Sequence, residues 1–130
     1  MVDCEVKPLV RRFVRRCKEQ NIQLEREPDG KSIMKLYREK HPVAIESMNE
    51  HWSFLGHGIA GLVNIFSPQK IIIGGGISEA GDLYIARIEQ EVALYSIADC
   101  RVNTKICAAK LGNKAGTMGA ARMAFQISKK

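Results

Sequence analysis

At 130 residues with 45% hydrophobic side chains, the chain can bury one core and is too short for two, so residues 1–130 are expected to form a single domain. No apolar run reaches the roughly 18 residues that a membrane-spanning helix needs, and Asp3, Glu5 and Lys7 stand where a secretory signal would be apolar, which predicts a cytoplasmic protein with no membrane partner. The net charge of +6 is uneven, with 11 Lys and Arg against 7 Asp and Glu in residues 1–41 and 9 against 7 in residues 42–130. The cysteines Cys4, Cys17, Cys100 and Cys107 form no Cys-x-x-Cys pair, which points to reduced thiols rather than a zinc knuckle or a disulfide framework.

From Pro8 to Gln20, Leu9, Val10, Phe13, Val14 and Cys17 share one helical stripe while Arg11, Arg12, Arg15, Arg16 and Lys18 cover the rest. Such a face is a phosphate or nucleic-acid patch or a solvated surface. Nothing aromatic interleaves the charges, which favours the solvated surface and makes nucleic acid an unexpected partner for this segment. Residues 21–30 read as a polar loop around Pro28-Asp29-Gly30, with a short extended piece at Ile22 to Leu24. Ser32 can cap a short helix reaching about Lys40, and Pro42 opens the longest one, running to about Phe66 through Val43, Ile45, Met48, Trp52, Leu55, Ile59, Leu62 and Val63. Gly56, Gly58, Ala60 and Gly61 leave room there for another backbone, and each glycine costs an isolated helix on the order of 1 kcal/mol.

Ser67-Pro68 ends that helix, and Lys70 to Ile73 has the β-branched character of a strand buried on both faces. After Gly74-Gly75-Gly76, either Ser78 or Gly81-Asp82 starts an amphipathic helix through Leu83, Ile85, Ile88, Val92 and Leu94. A second strand is expected at Thr104 to Ala108, then a loop at Gly112-Asn113-Lys114 and a last helix from Ala115 to about Ile127. A helix-rich α/β fold follows.

Three successive glycines at the end of an apolar strand permit positive φ and close approach of a flat or phosphorylated ligand, and amides near the following helix start can face an anion. A plain tight connection explains the run as well. Glu79 occupies the place of the third glycine of a dinucleotide fingerprint, and no Gly-Lys-Ser/Thr makes a phosphate loop. Among single residues, His57 could face a cleft but reads better as structural, His41 is expected to be exposed, and His51 adjoins Trp52 without metal spacing, so no metal site is expected. Glu79, Asp82 and Asp99 read as caps or dipole partners, and Met118, Met123 and Phe125 as core or interface.

Three ordered blocks carry a resemblance: Gly58-Ile59-Ala60-Gly61-Leu62-Val63-Asn64-Ile65-Phe66-Ser67-Pro68, then Ile71-Ile72-Ile73-Gly74-Gly75-Gly76-Ile77-Ser78, then Leu111-Gly112-x-x-Ala115-Gly116-x-x-Gly119-Ala120-Ala121. Together they resemble the carboxyl-terminal end of the ROK family of repressors, open reading frames and sugar kinases. The likeness is close over residues 55–127 and poor before about residue 30, leaving 1–54 as a less defined helical segment.

The resemblance implies a C-terminal lobe fragment of a ribonuclease-H-like, actin-like ATPase fold. It also implies that Gly74, Gly75 and Gly76 form the adenosine-side cofactor-binding motif and that the stretch from Gly56 to Pro68 flags a hinge-flanking helix. The family's phosphate loop, catalytic aspartate, sugar-binding Glu-x-Gly-His and zinc loop have no counterpart here, so no catalytic residue is expected in this chain. In the intact protein the resemblance implies glucokinase-like hexose phosphorylation with ATP and Mg. Alone, the chain would bind nucleotide weakly, and sugar only with the missing lobe. The alternative is the effector-sensing domain of a sugar-responsive repressor of the same family. An incomplete sheet predicts a homo-oligomer formed through the long helix around Trp52, Leu55 and Ile59 or the last helix around Met118 and Phe125.

Overall fold

In a computed structural model, residues 2–3, 6–75 and 81–109 are described. The chain runs β1 (Val2–Asp3), α1 (Lys7–Glu19), α2 (Gly30–Arg38), α3 (Pro42–Phe66), β2 (Lys70–Gly74), α4 (Asp82–Tyr95), α5 (Ala98–Arg101) and β3 (Lys105–Ala108). The expected last helix and Glu79 lie outside the described residues.

Leu9, Phe13 and Cys17 recur every fourth residue in α1 and are its buried residues. Ser32 does not cap α2. Asp29 does, because its backbone is extended and its carboxylate accepts from the Ser32 amide at 2.7 Å while Ser32 Oγ accepts from the Asp29 amide at 2.9 Å, a reciprocal capping box. The piece from Ile22 to Leu24 forms no strand. Proline sets both ends of α3: His41 is held extended before Pro42, and Ser67 adopts the left-handed conformation before Pro68.

The described strands form one parallel sheet ordered β1-β2-β3. Val2 pairs with Ile73 and Asp3 with Gly74 on one side of β2, while Lys70 to Ile73 pair with Lys105 to Ala108 on the other. Ile71 and Ile73 are buried but Ile72 is only half-buried, so β2 departs from the expected strand covered equally on both faces.

The core gathers around α3, which touches α1, α2, α4 and α5. Trp52, Ile59, Ala60 and Val63 join Ile71 and Ile73 of β2 and Tyr84, Ile88 and Val92 of α4 in one buried cluster. Of the small residues in α3, Gly56 is where another backbone comes close. A Cβ there would stand 3.1 Å from the Glu91 carbonyl carbon and 3.3 Å from its Cα, whereas among the described residues a Cβ at Gly58 or Gly61 meets nothing within 4 Å. The expected assembly face around Trp52 and Ile59 is corrected: both are buried in the core and Leu55 packs against it, because α4 and α2 already cover that side. The exposed apolar side chains of α3 are Phe54, Leu62, Ile65 and Phe66.

Candidate functional site

Ligand sites on parallel sheets form beyond the carboxyl ends of the strands. Here β2 is the central strand and delivers Gly74, buried and paired with Asp3, to that edge. Gly75 follows at φ +97°, a conformation that side-chain-bearing residues rarely adopt. Gly76 lies outside the described residues. The chain returns at Gly81 with φ +108°, and α4 starts at Asp82 with no side-chain cap, as the second of the two expected helix starts has it.

Gly81 also makes room. A Cβ there would stand 3.3 Å from Nη2 of Arg38, so the guanidinium at the end of α2 lies directly against the residue that closes the turn. Arg38 gave no signal in the sequence, because the helix packing that brings it 43 positions from its own place to Gly81 is purely tertiary. Tyr37, one residue earlier, fixes that helix end by meeting the Trp52 ring edge-on at 5.0 Å.

His51 is buried, and its Nε2 lies 2.9 Å from the Tyr84 hydroxyl. Burial first, and the nearby Arg12 charge second, push its pKa down to about 4, so the imidazole is neutral at ordinary pH. His57 is exposed. Its Nδ1 donates to the Ser53 carbonyl at 2.7 Å and its ring stacks on Tyr95 at 3.6 Å, a structural role. His41, expected to be exposed, is half-buried with its ring tilted over Phe13. Asp82 and Asp99 stand in the first turns of α4 and α5 without making side-chain caps.

The basic face of α1 is divided. Arg16 bonds Ser47 at 3.2 Å and pairs with Glu46 and Glu50 on α3, and Arg12 pairs with Glu50 while lying over the Phe54 ring at 4.4 Å. The Arg16 hydrogen bond, then its charge, holds the Glu50 carboxyl below its ordinary pKa. Those two arginines hold α1 to α3, and Arg11, Arg15 and Lys18 remain exposed. Cys17 is a buried free thiol whose pKa is raised by that burial, and Cys100 and Cys107 are free and half-buried. Among the described residues, no three His, Cys, Asp or Glu converge as metal ligands, and no helix is long and apolar enough to cross a membrane. A cavity of about 410 Å³ between α1, α2 and their loop, lined by Phe13, Ile22, Lys35 and Leu36 among others, does not include the glycine turn.

The ROK family model matches residues 11–127, so the likeness begins well before residue 30, where the sequence blocks alone had lost it. The glucokinase of Streptomyces coelicolor is 38% identical over 97 residues, covering 74% of this chain and 31% of the relative. The xylose repressor of Caldicellulosiruptor bescii is 35% identical over 69 residues, 53% of this chain and 17% of the relative. Among solved structures, a ROK glucokinase from Streptomyces griseus in complex with glucose and AMPPNP superposes with a TM-score of 0.81 at 30% identity, over 95% of this chain and 43% of that one. The chain thus spans about a third of the length of the curated glucokinase it matches.

Proposed function

The chain belongs to the ROK family, and from that premise we propose that it is the C-terminal, nucleotide-side portion of a glucokinase-like sugar kinase, inactive alone. Its sheet and helices are those of the sugar-kinase, actin-like fold of its structural neighbours. The observation that carries the nucleotide reading is the turn at the carboxyl end of the central parallel strand, where Gly74 is buried and Gly75 holds φ +97°. That geometry suits the adenosine side of ATP.

Phosphoryl transfer needs Mg, a positioned base and charge stabilisation around the transferring group. We assign those groups, and the hexose contacts, to the part of a family-length protein beyond this chain. Bound ATP would supply the phosphoryl group. This chain's own residues would bind and orient the adenosine end. We place the protein in the cytoplasm and expect self-association through the exposed Ile65 and Phe66 face of α3.

The test pairs two measurements. A coupled assay with ATP, Mg and glucose, mannose or N-acetylglucosamine should show no turnover above blank, and clear activity of the purified chain sinks the fragment reading. ADP should shift amide resonances around Gly75 and Gly81, and Gly75→Val should abolish those shifts. Shifts centred on Arg11, Arg15 and Lys18 instead would mean that the ligand reads only positive charge. The second reading, the effector-sensing domain of a sugar-responsive repressor, is favoured by the likeness to the xylose repressor. A family-length protein that carries a DNA-binding domain and binds sugar without phosphorylating it would decide for that alternative.

A further inference from the structure

The cavity between α1, α2 and their loop lies apart from the glycine turn, and its volume of about 410 Å³ is that of a small-molecule site. Its lining is apolar at Ile22, Leu24 and Leu36, each of which keeps part of its surface open. Two cations, Arg26 and Lys35, and two carboxylates, Glu25 and Glu39, line it as well, all four exposed. None of the four forms an ion pair within 4 Å with a described residue, and Arg26 acts on Asp29 only at longer range. Lys35 and Glu39 stay unpaired although they stand four positions apart at the end of α2, a spacing at which helical charges commonly meet. His41 adds an unsatisfied group to the same lining, for its Nδ1 is buried without a hydrogen-bond partner, a state that native interiors rarely leave.

We propose that this cavity binds an apolar α-amino acid, its side chain packed on Ile22, Leu24 and Leu36, its carboxylate paired with Lys35 and its ammonium with Glu39. The balance of charge selects that class. An anionic ligand would meet the repulsion of Glu25 and Glu39, and a cationic one that of Arg26 and Lys35. A zwitterion gives each sign a partner, and an apolar body takes the three aliphatic side chains out of water. The inference is independent of the nucleotide reading, because the cavity does not include the glycine turn.

The experiment titrates L-leucine into the 130-residue chain and follows amide shifts at Ile22, Ser32 and Leu36. Glycine, isocaproate and isoamylamine serve as comparisons, lacking in turn the apolar body, the ammonium and the carboxylate. Leucine should bind more tightly than isocaproate or isoamylamine by about threefold, the size of one exposed ion pair, and glycine should give no saturable shifts. Lys35→Gln should weaken leucine and isocaproate by about threefold and leave isoamylamine unchanged, and Glu39→Gln should weaken leucine and isoamylamine and leave isocaproate unchanged. Both residues are exposed, so both variants should remain folded. The ammonium charge arriving at Glu39 should also move the imidazole nitrogen resonances of His41, two residues along. Equal affinity for leucine and isocaproate, glycine binding as well as leucine, or no shift at these amides with any of the four compounds overturns the proposal. None of those results bears on nucleotide binding, which is read at Gly75 and Gly81.

Discussion

Gly56 and Gly58 are two residues apart on α3, and replacing each by alanine should move stability in opposite directions. Alanine is favoured over glycine in a helix interior by about 1 kcal/mol at either site. At Gly58 nothing among the described residues stands within 4 Å of the new methyl, so the propensity gain should survive. At Gly56 the methyl would fall against Glu91, 3.1 Å from its carbonyl carbon and 3.3 Å from its Cα. Those are backbone atoms, and they cannot rotate away as a side-chain tip can. Relief requires α3 and α4 to separate by a fraction of an ångström or more, and overpacking of that kind costs about 1–3 kcal/mol. Gly56→Ala should therefore destabilise by about 1 kcal/mol net and Gly58→Ala should stabilise by about 0.5–1 kcal/mol, a gap of about 2 kcal/mol between them. Urea denaturation at constant m-value reads both. If both variants stabilise equally, α3 and α4 do not cross closely at Gly56 and the packing described above is wrong.

Three further outcomes follow from single contacts. His51 has its pKa lowered from 6.5 to about 4, so the unfolded chain takes up the proton first, and stability should be full above pH 6.5 and fall toward pH 4, by about 2 kcal/mol at pH 5; a His51→Gln chain whose unfolding midpoint keeps the same pH profile would refute this. Asp29→Ala removes half of the capping box and should cost about 1 kcal/mol by thermal melting, and the Ser32 hydrogen bonds that lower the Asp29 pKa make that contribution fade as pH falls through the carboxylate range. Light scattering at micromolar concentration should find a dimer or larger species that Ile65→Glu and Phe66→Asp drive to monomer, and a wild-type chain already monomeric would contradict the assembly expectation.

Much of the local structure was legible because it rests on local chemistry. Pro8, Pro42 and Pro68 mark helix ends wherever they stand, and the spacing of Leu9, Phe13 and Cys17 shows the buried face of α1 without knowing what buries it. The Asp29 cap was misassigned to Ser32 because both residues are good caps, and only the backbone conformation chooses between them. Two elements were invisible. The two-residue strand at Val2 has no periodicity to read and exists through pairing with Ile73 far along the chain, and α5 has only four residues. The site was half legible: a glycine run announces freedom of φ, but the arginine beside Gly81 is placed by the packing of α2 on α3, and no spacing encodes that.

The same packing makes Trp52 the link between the two walls of the turn. Its ring meets Tyr37, next to Arg38, at 5.0 Å, and Tyr84, in the first turn of the helix that Gly81 opens, at 6.1 Å, while Arg87 lies over its face at 5.1 Å. One fully buried side chain therefore holds the end of α2 and the start of α4 in register. Trp52→Ala would leave a large cavity and cost about 3–5 kcal/mol, which confounds binding with unfolding. Trp52→Phe keeps an aromatic ring in the core and should cost about 1–2 kcal/mol, leaving the chain folded while Tyr37 and Tyr84 lose their common support. The expected result is a cooperative melt several degrees below wild type together with weakened adenosine-induced shifts at both Gly75 and Gly81. If Trp52→Phe melts at a lower temperature yet binds adenosine as the wild type does, the walls of the turn are positioned without Trp52, and the chain of contacts from Tyr37 through Trp52 to Tyr84 serves stability alone.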